Sequence, residues 1–243
     1  MVMNSKYIVD THCHILPGVD DGSQSMETTL KMIKIAAEEG VTHMIATPHF
    51  KKDRHNASPA TIEKLVAEVQ KLSDDNSLGL TILPGNEILF FSDMEEAFDE
   101  GKLTTMNHSD YLMIEFYPDD DYSRIKRAVE MTQSLGLHPV IAHAERFAEL
   151  RKDISKIEEL KNQGSLIQVN ASSMVGEQGF GTKMFVKKLL KNELIDFVGT
   201  DAHHYEKRAP HMEKCANYLE SKVSAEYASA ILYKNAFECF GIS

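Results

Sequence analysis

Short apolar runs of β character alternate with amphipathic stretches along the whole chain. The strand candidates are residues 7–10, 42–47, 80–83, 111–116, 139–142, 166–169 and 195–198. Between the first two, Met26, Leu30, Ile33 and Ala37 recur at helical spacing and stop at Gly40, a residue typical of helix ends. Repeated strand-then-helix units predict a parallel sheet covered by helices.

The sequence also contains signals that predict where several helices start and end. Ser58 followed by Pro59 is typical of a capped helix start, and Ser92 with Glu95 three residues later predicts a capping box. A terminal helix is expected over residues 225–240. We find no internal repeat and no linker, so we expect one domain over residues 1–243.

A parallel sheet of this kind is either open and doubly wound or closed into a barrel. An open nucleotide-binding sheet usually has a glycine-rich turn after its first strand, whereas this chain has Asp10-Thr-His-Cys-His14 there. Neither G-x-G-x-x-G nor a P-loop sequence occurs. Seven strand candidates without a linker therefore favour a single barrel.

Composition narrows the function classes. The 243 residues contain 26 Lys plus Arg and 37 Asp plus Glu, a net charge of −11, so nucleic acid is not an expected partner. No apolar run approaches the roughly 20 residues that span a bilayer, so no membrane insertion is expected. The first ten residues do not resemble a signal peptide, and three cysteines without paired spacing suit a reducing compartment. We expect a cytoplasmic protein.

Metal-ligand residue types lie at or just after the ends of six of the seven strand candidates. They are His12 and His14, His49, Glu87, Glu115, His143, and Asp201 with His203. In a parallel barrel these strand ends meet at one face, where active sites are built. The sixth strand lacks such a residue and ends in Asn170.

Strand parity supports a chelating arrangement. His12 and His14 point to one side of an extended segment and Cys13 to the other, and Asp201 and His203 obey the same rule. Imidazole and carboxylate together suit Zn, Mn, Fe or similar divalent metals. The acidic pair before Gly22 is either another carboxylate source or an ordinary turn, and Glu115 is either a ligand or a salt-bridged strand residue.

Other polar residues have simpler interpretations. Isolated histidines are usually surface or core residues, and we assign five of them to that class: His43, His55, His108, His138 and His211. His204 stays open, and the basic loop of Lys51, Lys52 and Arg54 is interpreted as a solvated surface. No cysteine is followed six residues later by arginine, and no G-x-S-x-G occurs, so metal-activated water is favoured over a cysteine or serine nucleophile.

At these residues the chain resembles the polymerase and histidinol phosphatase (PHP) superfamily. Within it, the chain is most similar to the bacterial manganese-dependent protein-tyrosine phosphatases of capsule and exopolysaccharide loci. The matching segments are DTHCHILPGVDDG at 10–22, ATPH at 46–49, GNE at 85–87, IEF at 114–116, HAER at 143–146 and GTDAH at 199–203. One departure is Ala144, where the family motif has proline.

The resemblance implies a distorted (β/α)7 barrel, the PHP fold, with three metal ions at the carboxyl ends of its strands. The implied ligands are His12, His14, Asp21, His49, Glu87, Glu115, His143, Asp201 and His203, with Glu87 bridging. Mn²⁺ is the favoured ion, with Fe, Zn, Co and Mg as alternatives. The implied catalytic set adds Arg146 and Arg208 to Asp201 and His203, with the two arginines binding the phosphate.

These arginines also have structural interpretations. Arg146 could instead form an ion pair with Glu145 or Glu149, and Arg208 could be a loop surface charge.

The implied activity is hydrolysis of protein phosphotyrosine, in the tyrosine-rich tail of a bacterial tyrosine kinase that controls capsule or exopolysaccharide synthesis. Three alternatives stay open: a small-molecule phosphatase such as histidinol-phosphate phosphatase, an amidohydrolase, and a non-catalytic metal-binding module. An amidohydrolase usually has a metal-bridging lysine at the end of its fourth strand, where this chain has Glu115.

Overall fold

A curled sheet of parallel strands forms the centre of the protein. The computed structural model describes residues 7–242. Its strands are β1 (Val9–Cys13), β2 (His43–Ala46), β3 (His49–Phe50), β4 (Thr81–Pro84), β5 (Glu87–Leu89), β6 (Tyr111–Glu115), β7 (His138–Ile141), β8 (Leu166–Asn170) and β9 (Phe197–Gly199). Paired strands run parallel, in the orders β1-β2-β4 and β3-β5-β6-β7-β8-β9.

Two of the predicted strands are each followed by a short strand that was not predicted. The prediction over residues 42–47 corresponds to β2, and β3 begins after Thr47 and Pro48; the prediction over residues 80–83 corresponds to β4, and β5 begins after Gly85 and Asn86. At the other edge, the segment after β9 returns to β1, because the His14 amide donates to the Ala202 carbonyl oxygen at 2.9 Å. The predicted parallel α/β architecture is confirmed, and the count of seven barrel strands stays a prediction.

Helices cover the sheet. They are α1 (Met26–Glu38), α2 (Pro59–Asp75), α3 (Met94–Asp99), α4 (Tyr122–Ser134), α5 (Ala148–Lys152), α6 (Ser155–Asn162), α7 (Ala171–Val175), α8 (Phe180–Lys191), α9 (Glu213–Lys222), α10 (Ala225–Ser229) and α11 (Asn235–Phe240). A π-helical turn, Ala230–Lys234, joins the last two, so the predicted terminal helix is present as one run from Ala225 to Phe240. Short 3₁₀ turns occupy Met106–His108 and Ala144–Arg146.

One of the two predicted helix starts is confirmed by the structure, and the other is wrong. The Ser58 side chain accepts a hydrogen bond from the Thr61 amide at 3.2 Å, and Pro59 is the first residue of α2. The predicted Ser92 capping box is wrong: α3 begins at Met94 after Asp93 and has no side-chain cap. Burial of Met94 holds this six-residue helix against the core instead.

Two apolar clusters stabilise the fold. The larger lies between the sheet and its helices. The smaller fills the sheet interior near the start of the strands, where Val9, Phe197 and Phe240 are buried together. Aromatic side chains of the terminal helix therefore close this end, and the carboxyl ends of the strands are left for polar groups. Within the described residues, no helix is both long and apolar enough to cross a membrane. The sequence interpretation of residues 1–6, that no signal peptide begins there, lies outside the described residues.

Candidate metal centre

All nine predicted ligands come together at the carboxyl ends of the strands, connected by contacts of 4.0 Å or less. Glu87 lies at the centre and is fully buried. Its Oε2 atom is 2.9 Å from His49 Nδ1 and 3.2 Å from the Nε2 atoms of both His12 and His14. Its Oε1 atom is 2.6 Å from His143 Nε2. Although burial disfavours its charged form, these imidazoles hold the pKa of Glu87 well below its usual range.

Two further carboxylates lie toward the mouth of the cluster. Glu115 Oε1 is 3.1 Å from His49 Nδ1. Asp21 Oδ1 is 3.3 Å from His49 Nε2 and 3.6 Å from His203 Nε2, and its side chain is 67% exposed. Burial opposes the charged form of His49, but the Glu115 and Glu87 carboxylates raise its pKa to about 9.

Hydrogen bonds at Nδ1 turn two of the imidazoles toward the cluster. His14 Nδ1 is 2.7 Å from Asp20 Oδ2, and His12 Nδ1 is 3.3 Å from Gln168 Oε1. Partners of this kind fix the ring orientation of metal-binding histidines. Sequence reasoning treated Asp20 and Asp21 together as a carboxylate source or a turn, and it missed the role of Asp20 as the partner of His14.

Strand β8, which supplies no predicted ligand, positions the ligands of its neighbours. Gln168 accepts a hydrogen bond from the His143 amide at 2.6 Å and donates to Asn170 Oδ1 at 3.0 Å. Asn170 Nδ2 then donates to Asp201 Oδ2 at 3.0 Å. The signal was present in the sequence, because residues 168 and 170 share one face of the strand as residues 12 and 14 do.

The backbone is constrained after β7 and where the last strand meets the first. His143 and Asp201 have φ values of 30° and 54°, in the left-handed region that non-glycine residues rarely adopt. At Gly199, a Cβ atom would lie 2.5 Å from His12 Cβ. Glycine therefore permits the close approach of β9 to β1.

A buried carboxylate ties the same two strands together. Asp10 accepts hydrogen bonds from the Thr200 amide at 2.8 Å, from the Thr200 hydroxyl at 2.5 Å and from the His12 amide at 3.2 Å. Burial raises the pKa of Asp10 to about 6 in spite of these donors. Sequence reasoning did not assign Asp10 this role.

Both predicted arginines contact the cluster through one carboxylate. An NH2 atom of Arg146 is 2.6 Å from Asp201 Oδ2, and one of Arg208 is 2.6 Å from Asp201 Oδ1. The alternative ion pair of Arg146 with Glu145 or Glu149 is wrong: Glu145 is buried against β8, and Glu149 pairs with lysines. The alternative of Arg208 as a plain surface charge is likewise wrong.

The cysteine between the first two histidines faces away, as strand parity predicts. Cys13 is fully buried, and its Sγ donates to the Ile45 carbonyl oxygen at 3.4 Å. Burial raises the pKa of this thiol well above its usual value, which disfavours the nucleophilic thiolate.

The donor set fits divalent cations. His12 Nε2 and His14 Nε2 face each other at 3.2 Å in a fully buried position, and the Oε2 atom of Glu87 is buried beside them without a hydrogen-bond partner. Three sets of donor atoms lie within 4.8 Å of one another: His14, Asp21, His49 and His203; His12, His14 and Glu87; and His49, Glu87 and Glu115. Imidazole nitrogen and carboxylate oxygen suit Mn²⁺, Fe²⁺ and Zn²⁺, and such ions would satisfy these crowded atoms.

Comparison with known proteins agrees with this geometry. Residues 8–240 match the family described as "Capsular polysaccharide synthesis, CpsB/CapC". The chain belongs to the CpsB/CapC family. It is 32% identical over 220 residues to tyrosine-protein phosphatase YwqE of Bacillus subtilis (strain 168), an alignment that covers 90% of this chain and 86% of that protein. The resemblance expected from the sequence motifs is thus confirmed.

Solved structures place the CpsB/CapC chain in the same fold group. A structure of the metal-dependent tyrosine phosphatases YwqE from Bacillus subtilis and CpsB from Streptococcus pneumoniae has a TM-score of 0.89 and 30% identity, covering 97% of this chain and 95% of that one. Histidinol phosphate phosphatase from Lactococcus lactis has a TM-score of 0.56 and 15% identity, covering 88% and 93%. This second likeness is one of fold alone.

Proposed function

We propose that this CpsB/CapC chain is a metal-dependent phosphatase of protein phosphotyrosine, active in capsule or exopolysaccharide synthesis. The observation that carries the proposal is the buried cluster of imidazoles and carboxylates around Glu87, in a family whose relatives are named tyrosine-protein phosphatases. Its substrate would be the tyrosine-rich tail of a bacterial tyrosine kinase in the cytoplasm. We further propose that β2 with β3, and β4 with β5, each form one strand of a seven-stranded, single-domain barrel over residues 1–243.

The nine clustered side chains would hold three divalent ions, with Glu87 as the bridging ligand and Mn²⁺ as the favoured ion. Such ions lower the pKa of bound water and neutralise the charge of a phosphoryl group. The chain's own contribution is to fix the imidazoles, through Asp20 and Gln168, before the substrate arrives.

The two arginines bind the phosphoryl group of the substrate. Arg146 and Arg208 both reach the cluster at Asp201, so their guanidinium groups already lie beside the reacting position. A planar guanidinium can bind two phosphoryl oxygens at once, and this interaction strengthens as negative charge grows on them in the transition state. Asp201 and His203 belong to the same catalytic set.

A cavity of about 450 Å³ adjoins the cluster and suits an aromatic phosphate ester. Glu115, His143 and Arg146 lie on its inner side. The rest of its lining is mostly aromatic or cationic and includes Phe116, Tyr117, Phe147, Lys51, Lys52 and Arg54. A tyrosyl ring can pack against the aromatic wall, and the cations favour an acidic or phosphorylated peptide.

The same lining disfavours the small-molecule alternative. Histidinol phosphate carries an ammonium group, which needs a carboxylate partner beyond those that bind metal. Among the described residues that line this cavity, Glu115 is the one carboxylate, and it belongs to the proposed metal set. The basic loop, interpreted from the sequence as a solvated surface, exposes Lys52 and Arg54 and also forms part of the cavity wall.

The test is a comparison of kcat/KM on a phosphotyrosine peptide and on histidinol phosphate, with Mn²⁺ added. We expect the peptide to be preferred by at least about tenfold. A preference for histidinol phosphate would overturn the substrate assignment. Absence of turnover on any phosphomonoester, in protein with its metal loaded, would overturn the enzymatic function itself.

A further inference from the structure

An apolar and basic surface lies on α8, apart from the metal cluster. Between Glu177 and Glu193 the chain has four lysines and no acidic residue, although its net charge is −11. Five side chains at helical spacing share the outward face of α8, and we call them the α8 stripe: Phe180, Met184, Lys187, Lys188 and Lys191. Apolar residues occupy the start of this stripe and cations its end.

The apolar part of the α8 stripe has no role in the core. Phe180 is 80% exposed and lies between two glycines, and Met184 is 48% exposed. The opposite face of the helix packs into the core through residues such as Phe185 and Leu189. The helix is thus held firmly by one face while two large apolar side chains face water.

The basic part of the stripe is not neutralised within the protein. In the part of the chain that the structure describes, no ion pair within 4 Å involves the lysines of α8, whereas Lys31 and Lys71 each pair with an acidic residue on their own helix. The carboxylates facing the region at longer range are Asp153, near Lys188, and Glu193.

Two shallow grooves flank the stripe. One, of about 530 Å³, has Met184 and Phe185 in its floor and adds Arg151 to the lysines at its edge, with no carboxylate among its described lining residues. The other, of about 680 Å³, adds Lys183 and Lys222. Cations that form no ion pair among the described residues therefore line both grooves, and those of the first groove lie beside Met184.

We propose that the α8 stripe docks the protein on an anionic membrane surface, as a peripheral contact that needs no spanning helix. Exposed aromatic and apolar side chains enter the interface between headgroups and acyl chains, and adjacent lysines bind anionic headgroups. Because the molecule as a whole carries a net charge of −11, an anionic surface repels most of it and favours the orientation in which the α8 stripe faces that surface. The proposal is independent of the phosphatase function.

The first test is co-sedimentation of the full chain with vesicles of phosphatidylcholine alone or with one third phosphatidylglycerol. Lys187→Gln with Lys191→Gln should weaken binding to the anionic vesicles by roughly 25-fold, because each lysine near such a surface contributes about fivefold. The control pair, Lys64→Gln with Lys71→Gln on α2, makes the same change in net charge and should bind as the wild type does. Turnover of a soluble phosphotyrosine peptide should be unchanged in both pairs.

The second test uses the absence of tryptophan from the chain. In Phe180→Trp, the single tryptophan should shift its emission to shorter wavelength with anionic vesicles, and not with phosphatidylcholine alone. Ala67→Trp, on the exposed face of α2, is the matched control and should not shift. Equal binding to both vesicle types, no binding, or equal losses in both lysine pairs would overturn the proposal. So would a Phe180→Trp emission shift with polyglutamate but not with vesicles, which would indicate an acidic protein partner.

Discussion

At the scale of single residues, Asp201 is where metal binding and phosphate binding meet. It contacts Arg146, Arg208 and Asn170, and its Oδ1 atom lies 3.5 Å from His14 Nε2. Burial opposes its charge, but its contact with His14 and the nearby cations hold the pKa of Asp201 well below its usual range. One carboxylate thus couples the orientation of both arginines to that of the cluster.

Replacement of the Arg146 side chain tests its role in phosphate binding. We expect Arg146→Ala to bind metal normally and to lose roughly 10²–10³ in kcat/KM, the scale of losing one preorganised donor to the transition state. Arg146→Lys should recover only part of this loss, because an ammonium group lacks the planar two-point contact.

The exposed Arg127 on α4 provides the matched control, and Arg127→Ala should retain full activity. Metal content and melting temperature should be measured on all three variants. A loss of metal in Arg146→Ala would instead mean that the guanidinium mainly positions Asp201.

Cys13 provides the complementary prediction. Because its thiol is buried and faces the Ile45 carbonyl, Cys13→Ser should keep most of the activity, and iodoacetamide should not inhibit the folded enzyme. His14→Ala, at the next residue of the chain, should abolish turnover by removing a cluster ligand. An inactive Cys13→Ser enzyme that folds and binds metal would show that the nucleophile is misassigned.

At the scale of elements, the strand ends carried most of the information in the sequence. Parity alone placed His12 and His14 on one side and Cys13 on the other, because alternation is intrinsic to an extended backbone. Parity also places Gln168 and Asn170 on one face of β8. Hydrogen bonds between distant elements carry no local signal, however, so the links of these two side chains to His12, His143 and Asp201 were not predicted. The same holds for Asp20, whose partner His14 is fixed only when the turn folds back.

Helix prediction failed where tertiary burial outweighs local preference. No pattern that we used indicated α7, α8 or α9, and the Ser92 cap is wrong because burial of Met94 sets the start of α3. The short strands β3 and β5 were not predicted, and each follows a break after a predicted strand, at Pro48, which lacks an amide donor, and at Gly85 with Asn86. These breaks separate each longer strand from the short strand that begins with a ligand, His49 or Glu87.

The contact between β9 and β1 gives a prediction at this scale. Gly199→Ala should destabilise the protein by about 1–3 kcal/mol, the usual cost of overpacking, because the new methyl group meets both His12 Cβ and the His12 backbone nitrogen. It should also lower metal affinity, since His12 must move. Gly181→Ala is the matched control, because a Cβ there meets no atom within 4 Å. Equal denaturation midpoints for the two variants would contradict the close packing.

At the scale of the whole molecule, bound metal should stabilise the fold as well as make catalysis possible. Removal of divalent ions by a strong chelator should abolish turnover and lower the melting temperature by several degrees. Ligand at about 100 times its Kd contributes about 2.7 kcal/mol, and each kcal/mol shifts the melting temperature of a chain this size by about 2–4 °C. Added Mn²⁺ should restore both. Near-normal activity in a verified metal-free preparation would contradict the mechanism.

The pairing of the first strand with the last also sets an order of events during synthesis. His12 and His14 leave the ribosome early, but Asp201, His203 and Arg208 follow almost two hundred residues later, and the aromatic residues that close the opposite end come later still. No chain that stops short of β9 can therefore assemble the full cluster. Completion of the cluster is a late event in synthesis, and a ribosome that stops short of β9 releases a chain that holds the donors of the first strands but lacks Asp201, His203 and Arg208.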